Sequence, residues 1–133
     1  MRFLKNIFRK RKPELDDLER AFILNDTDRR LIEEFSDYDD NWRVKEIIIL
    51  AETGDSLYFR VMQYAILLDR NKSVRFAALK RIHFFEGHPD LKPMLLQMGE
   101  NKEGNKFEPY LSMALSRLGL ISIEEFESKI NGR

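Results

Sequence analysis

The sequence predicts an all-α protein, a short right-handed α-solenoid of about three antiparallel helical pairs closed by a C-terminal capping helix. Three observations predict it. Apolar residues recur at helical spacing in one segment after another. Most of the six glycines and four prolines punctuate those segments by falling between them. One stretch also recurs at a period of about 30 residues, as expected when helical pairs stack side by side.

The elements can be justified in order. Residues 14–24 place Leu15, Leu18 and Phe22 on one face, after Pro13 at a favoured first-turn position. Residues 27–36 carry Leu31, Ile32 and Phe35, with Asp26 or Thr27 available as N-cap. A third helix over 42–53 carries Val44, Ile47, Ile48 and Ala51 and stops before Gly54. A fourth, 56–69, carries Tyr58, Val61, Met62 and Ala65 on one face. A fifth, 72–86, carries Val74, Ala77, Ala78, Ile82 and Phe85 and stops before Gly87. The sixth, 90–99, has Leu91, Met94, Leu95 and Met98, and it tolerates Pro93 only if Pro93 lies in its first turn. The seventh starts near Pro109 and presents Leu111, Ala114, Leu115 and Leu118 before Gly119. The last opens with a capping box, Ser122 and Glu125, followed by Ile123, Phe126 and Ile130.

Lys45–Leu50 and Leu57–Val61 are rich enough in β-branched and aromatic residues to suggest strands. Neither alternates with a period of two and neither is flanked by hairpin turn chemistry, so both are assigned to helices.

The repeat aligns DDNWRVKEIIILA (residues 39–51) with DRNKSVRFAALKR (69–81). Asp39 falls on Asp69, Asn41 on Asn71, and Val44-Lys45 on Val74-Arg75. A further shift of 36 brings Met113-Ala114-Leu115 onto Ala77-Ala78-Leu79 but finds no matching Asp or Val-Arg pair. Small residues at Ala77, Ala78 and Ala114 suit a helix sandwiched between neighbours, because backbones approach closely only where side chains are short. The stretch LLDRNKSVRFAALKRI (67–82) resembles the HEAT-repeat family, whose signature is an Asp-containing turn followed by Val-Arg and an Ala-Ala-Leu helix. The resemblance is best over 56–100 and covers about two-thirds of the chain. It implies that Asp69 and Arg75 are structural, tying successive repeats together; read without it, both are solvated charges.

The formal net charge is zero, but the zero is a cancellation. Residues 1–12 hold six basic side chains and no acidic one, 13–56 hold 14 acidic against 5 basic, and 57–133 hold 9 acidic against 12 basic. The chain therefore divides into a basic amphipathic segment, 1–12, and a single helical-repeat domain, 13–133. The absence of cysteine excludes a disulfide framework, a thiolate nucleophile and a Cys-based zinc site. The longest uncharged apolar run, Ile47–Ala51, is far too short to span a bilayer. The N-terminus has no apolar h-region, so it does not read as a secretory signal. Its Arg-rich, acid-free character is shared with mitochondrial presequences, but it is short and lacks Ser. The expected location is cytoplasmic, with room for a peripheral position on the inner face of the membrane.

No catalytic constellation is apparent: the sequence has no nucleophile elbow, no Gly-rich phosphate loop and no paired metal-binding histidines. The only histidines, His83 and His88, are five residues apart and do not share a helix face. His83 reads as a packed or half-exposed helix residue, and His88 as a loop or cap residue. No catalytic residue, metal or cofactor is therefore expected. HEAT-like lyases and DNA glycosylases exist, which keeps a HEAT-like enzyme or nucleic-acid binder open by analogy of fold. Residues 13–133, with 17 basic against 23 acidic side chains, speak against nucleic acid as the main ligand.

Three surfaces remain. In the first, Phe3, Leu4, Ile7 and Phe8 form a stripe among six basic residues, which either lies on an anionic membrane or docks its aromatics on the first repeat. In the second, Asp37, Tyr38, Asp39, Asp40 and Trp42 crowd one inter-helix loop. Trp42 aligns with the exposed-type Lys72, so it is either an interface anchor or a seal on the end of the stack. The third is a basic set, Arg60, Arg70, Lys72, Arg75, Lys80 and Arg81, which either offers a phosphate-rich ligand a surface or is ordinarily solvated. Repeat stacks present extended surfaces and seldom carry chemistry. The expectation is a non-enzymatic protein–protein interaction module whose acid-rich residues 14–55 meet a basic protein. A scaffold, or an antidote covering a basic toxic enzyme, would be concrete forms of it, and a peripheral membrane adaptor is the alternative.

Overall fold

In the computed structural model, which describes residues 24–131, seven α-helices follow one another with no strand among the described residues. They are α1 (Asp26–Asp37), α2 (Asp40–Thr53), α3 (Phe59–Leu68), α4 (Lys72–Arg81), α5 (Leu91–Glu100), α6 (Tyr110–Arg117) and α7 (Ile123–Asn131). Both stretches with strand-like composition are helical. The segment 1–12 and the predicted helix over 14–24, apart from its buried last residue Leu24, lie outside the described residues.

Short polar side chains set most of the starts. Asn25, and neither Asp26 nor Thr27, caps α1: its Oδ1 accepts the Asp28 amide at 2.8 Å, and the Asp28 carboxylate accepts the Asn25 amide at 3.2 Å. The reciprocal box needs a carboxylate three residues on, which Asn25 has in Asp28. Asp39 caps α2 through the Trp42 amide at 2.8 Å, and Asn71 caps α4 through the Ser73 and Val74 amides. Glu108 serves α6 from outside the helix, taking the Ser112 amide and hydroxyl at 2.8 and 2.6 Å. Ser122 accepts the Glu125 amide at the start of α7. Gly54, at φ 60°, ends α2 in the left-handed region where a β-carbon is strained.

The fourth and fifth predicted helices are each split. A 3₁₀ turn, Ser56–Tyr58, leads into α3, and α4 tightens into another, Ile82–Phe85, after Arg81 leaves helical geometry at φ −115°, ψ 0°. Pro93 sits in the first turn of α5, where its missing N–H costs nothing.

Packing builds on one helix. α4 is contacted by α2, by α3 and by α6, while α1 packs on α3, α5 on α6, and α6 on α7. Val74, Ala77, Ala78 and Leu79 of α4 are all buried, and the two alanines supply the short side chains that contact on several sides requires. α3 is buried almost all round, from Phe59 through Ile66 with only Arg60 partly exposed. The tidy face of α5, Leu91, Met94, Leu95 and Met98, is wholly inside. Aromatic edges lock the layers: Phe35 meets Tyr64 edge-on at 6.3 Å, and Phe59 meets Phe85 at 6.4 Å.

Candidate functional site

The crowded loop between α1 and α2 is organised from below by an arginine. Arg43 is only 1% exposed, yet its guanidinium has a partner at every nitrogen. Nε and Nη2 grip the buried Asp69 carboxylate at 2.9 and 3.1 Å, Nη1 donates to the Tyr38 carbonyl at 2.6 Å, and Nη2 also reaches Asp40 at 2.6 Å. Two planar oxygens facing a planar fork make this the strong, bidentate kind of ion pair. Burial acts to lower the Arg43 pKa, but the bonds and charges of Asp69 and Asp40 outweigh it and hold the group above its ordinary value. The same guanidinium holds the Asp40 carboxyl below its ordinary value.

Asp69 is occupied on every side. Its carboxylate also accepts the Asn71 amide at 2.9 Å, closing the turn between α3 and α4, and its carbonyl accepts Arg75 Nη1 at 2.8 Å. The guanidinium that reaches the Asp69 carboxylate across 26 positions is therefore that of Arg43, whereas Arg75 serves the carbonyl of its own turn. Arg43 aligns with Ser73 in the repeat, which is why the repeat pattern did not single it out.

Around this clamp the five residues picked from the sequence stand in different states. Asp37 is exposed and Tyr38 half-buried. Asp39 spends its carboxylate on the α2 cap and Asp40 is paired with Arg43. Trp42 is 53% exposed, with Lys45 Nζ 5.2 Å from its ring centre. Phe3, Leu4, Ile7 and Phe8 lie outside the described residues.

The basic set does not converge. Arg60 pairs with Asp90 at 2.6 Å and bonds Gln63 at 2.9 Å. Arg81 returns to the Ala77 carbonyl at 3.0 Å, and Arg70 is exposed beside the α3–α4 turn. Lys72 lies over Phe76 and Lys80 over Tyr110, at 5.4 and 4.7 Å from the ring centres. The histidines are equally separate. His88 stacks on Phe59 at 3.9 Å and accepts the Asp90 amide through Nδ1 at 3.1 Å, ahead of α5. Burial first, then the Arg60 charge, lower its pKa. His83 is half-buried beside Arg117, whose Nη1 lies 3.1 and 3.2 Å from the two ring nitrogens; burial and that charge lower its pKa too.

Among the described residues, no cluster of three or more His, Asp or Glu side chains could hold a metal, and no helix is long and apolar enough to cross a membrane. Compared with known proteins, the chain matches no protein-family model, no curated protein and no solved structure.

Proposed function

We propose that the chain is a short HEAT-like stack of helical pairs that works as a non-enzymatic protein-binding module, with the α1–α2 edge meeting a basic partner. The stacking side of this reading is supported by the serial contacts of α2 with α4 and α4 with α6, and by the Arg43–Asp69 clamp between the α1–α2 and α3–α4 turns. The observation that carries the binding side is Trp42. A tryptophan ring more than half exposed stands on a turn whose backbone is fixed by the Asp39 cap and by Arg43, so little order remains to be imposed when a partner covers it. Asp37 and the outer side of Asp40, 55% exposed in its side chain, give the surroundings of the ring an acidic rim.

The test uses the fact that Trp42 is the chain's single tryptophan. Its emission in the free protein should be readily quenched by iodide, and it should become protected when a basic protein captured from the native host is added. The capture should weaken with added salt and be lost in Trp42→Ala or Asp37→Lys, with circular dichroism checking that each variant is folded. A blue-shifted, iodide-protected emission in the free protein would sink the anchor, and capture indifferent to both substitutions would sink the surface.

A further inference from the structure

The packing of α4 against α6 leaves a groove of about 200 Å³ that the protein-binding reading does not use. Its floor is apolar, made by Leu79, Tyr110, Met113 and Ala114, and Met113 is 40% exposed. Its rim is cationic. Lys80 stands on one helix and Arg117 on the other, with His83 between them. No carboxylate lines the groove. Lys80 has only the Tyr110 ring for company and Arg117 only the His83 ring, so neither cation is ion-paired with a described residue. Lys72, over Phe76 next to Tyr110, extends the same cationic edge. Cations placed together over an apolar floor that no carboxylate lines, with Glu86 acting on His83 only from outside the lining, are electrostatically unfavourable in the free protein, and an anion relieves it.

We infer that this groove binds an acidic peptide segment of a partner protein, seating one apolar side chain on Tyr110 and Met113 while flanking carboxylates meet Lys80 and Arg117. The volume admits a side chain and little more, and the floor is aliphatic over most of its extent. Stacked nucleobases fit less well. The aromatic rings that would have to receive them, Phe76 and Tyr110, pack on each other at 4.7 Å and carry the Lys72 and Lys80 ammonium groups over them.

The experiment is fluorescence anisotropy on the full chain with a fluorescein-labelled peptide of alternating Glu and Leu, against a Lys/Leu peptide and a labelled oligothymidylate. The Glu/Leu peptide should bind saturably and weaken as salt rises. Lys80→Glu and Arg117→Glu should each weaken it by about tenfold, while Lys92→Glu, an exposed cation on α5 that does not line the groove, leaves it unchanged. With methyl-labelled methionine, the Met113 signal should move on titration and that of the fully buried Met62 should stay. Equal binding of both peptides, indifference to the two charge reversals, a stationary Met113 signal or tighter binding of the oligonucleotide would each overturn the assignment. Both substituted residues lie on the rim, and circular dichroism of the variants separates lost binding from lost fold.

Discussion

The α1–α2 turn and the α4–α6 groove carry opposite charge, and they differ more in how that charge is compensated than in its sign. At the turn, acidic residues abound in the sequence, yet Asp39 is committed to a helix cap, and Asp40 and Asp69 to a single buried arginine. At the groove, fewer charges are present, but Lys80 and Arg117 have only aromatic and imidazole rings beside them. Counting charges along the chain ranks the acidic edge first. Counting charges without a counter-charge ranks the groove first. Burial decides between the two measures: a charge under the surface must be answered within the fold, whereas one on a rim can be left for a ligand or for water.

The sharpest way to break this contrast is to remove the compensating group at the turn. Arg43→Met leaves the Asp69 carboxylate buried without its fork and frees the Tyr38 carbonyl, so the protein should lose about 3–5 kcal/mol in urea unfolding. Combining it with Asp69→Leu should recover much of that loss, because no buried charge is then orphaned. A loss under about 1 kcal/mol for Arg43→Met would mean that the pair is solvated in solution and that the two regions are alike.

Much of the helical architecture was legible because it rests on local patterns. The faces of α1, α5 and α6, the Ser122 cap and the Gly54 stop each depend on residues within a few positions of one another, whereas α2 buries Arg43 with Ile47 and Ala51 and leaves Ile48 only partly covered. Residue preference alone cannot locate the N-cap of α1, because Asp26 and Thr27 are as good cap residues as Asn25. Only the position of Asp28 decides among them. Arg43 and the groove were not legible for a different reason. Arg43 and Asp69 are 26 positions apart, His83 and Arg117 are 34, and no short-range signal distinguishes a charge with a distant partner from one in water. Trp42 lies between these cases. Its alignment with Lys72 pointed to an exposed position, which it occupies, but the alignment alone left open a ring folded back as a seal.

A smaller effect should appear on acidification. Burial and the neighbouring guanidinium groups hold both histidines below their ordinary pKa, so the unfolded chain takes up these protons first as pH falls. Their contribution to stability is therefore complete above the ordinary imidazole value of about 6.5 and is lost as pH drops from there through the depressed folded values. Protonation of His88 also removes the Nδ1 lone pair that accepts the Asp90 amide. The urea midpoint should decline as pH falls below about 6.5, ahead of the carboxylates, and His83→Gln with His88→Gln should flatten that decline. A midpoint that is constant or rises over this interval contradicts the sign.

The smallest effect on stability belongs to the groove. Arg117→Gln removes a rim charge with no carboxylate partner, so the stability change should stay within about 0.5 kcal/mol. The informative readout is His83 itself, because the guanidinium and a protonated imidazole repel each other at 3.1 Å. Removing Arg117 should raise the His83 pKa, measured by the imidazole proton shifts, while His88, held down by burial and by Arg60, should titrate as before. A rise at both histidines would point to a general loosening of the fold. No rise at His83 would mean that the Arg117 charge is already answered in solution, and with it the uncompensated rim that separates this groove from the α1–α2 turn would disappear.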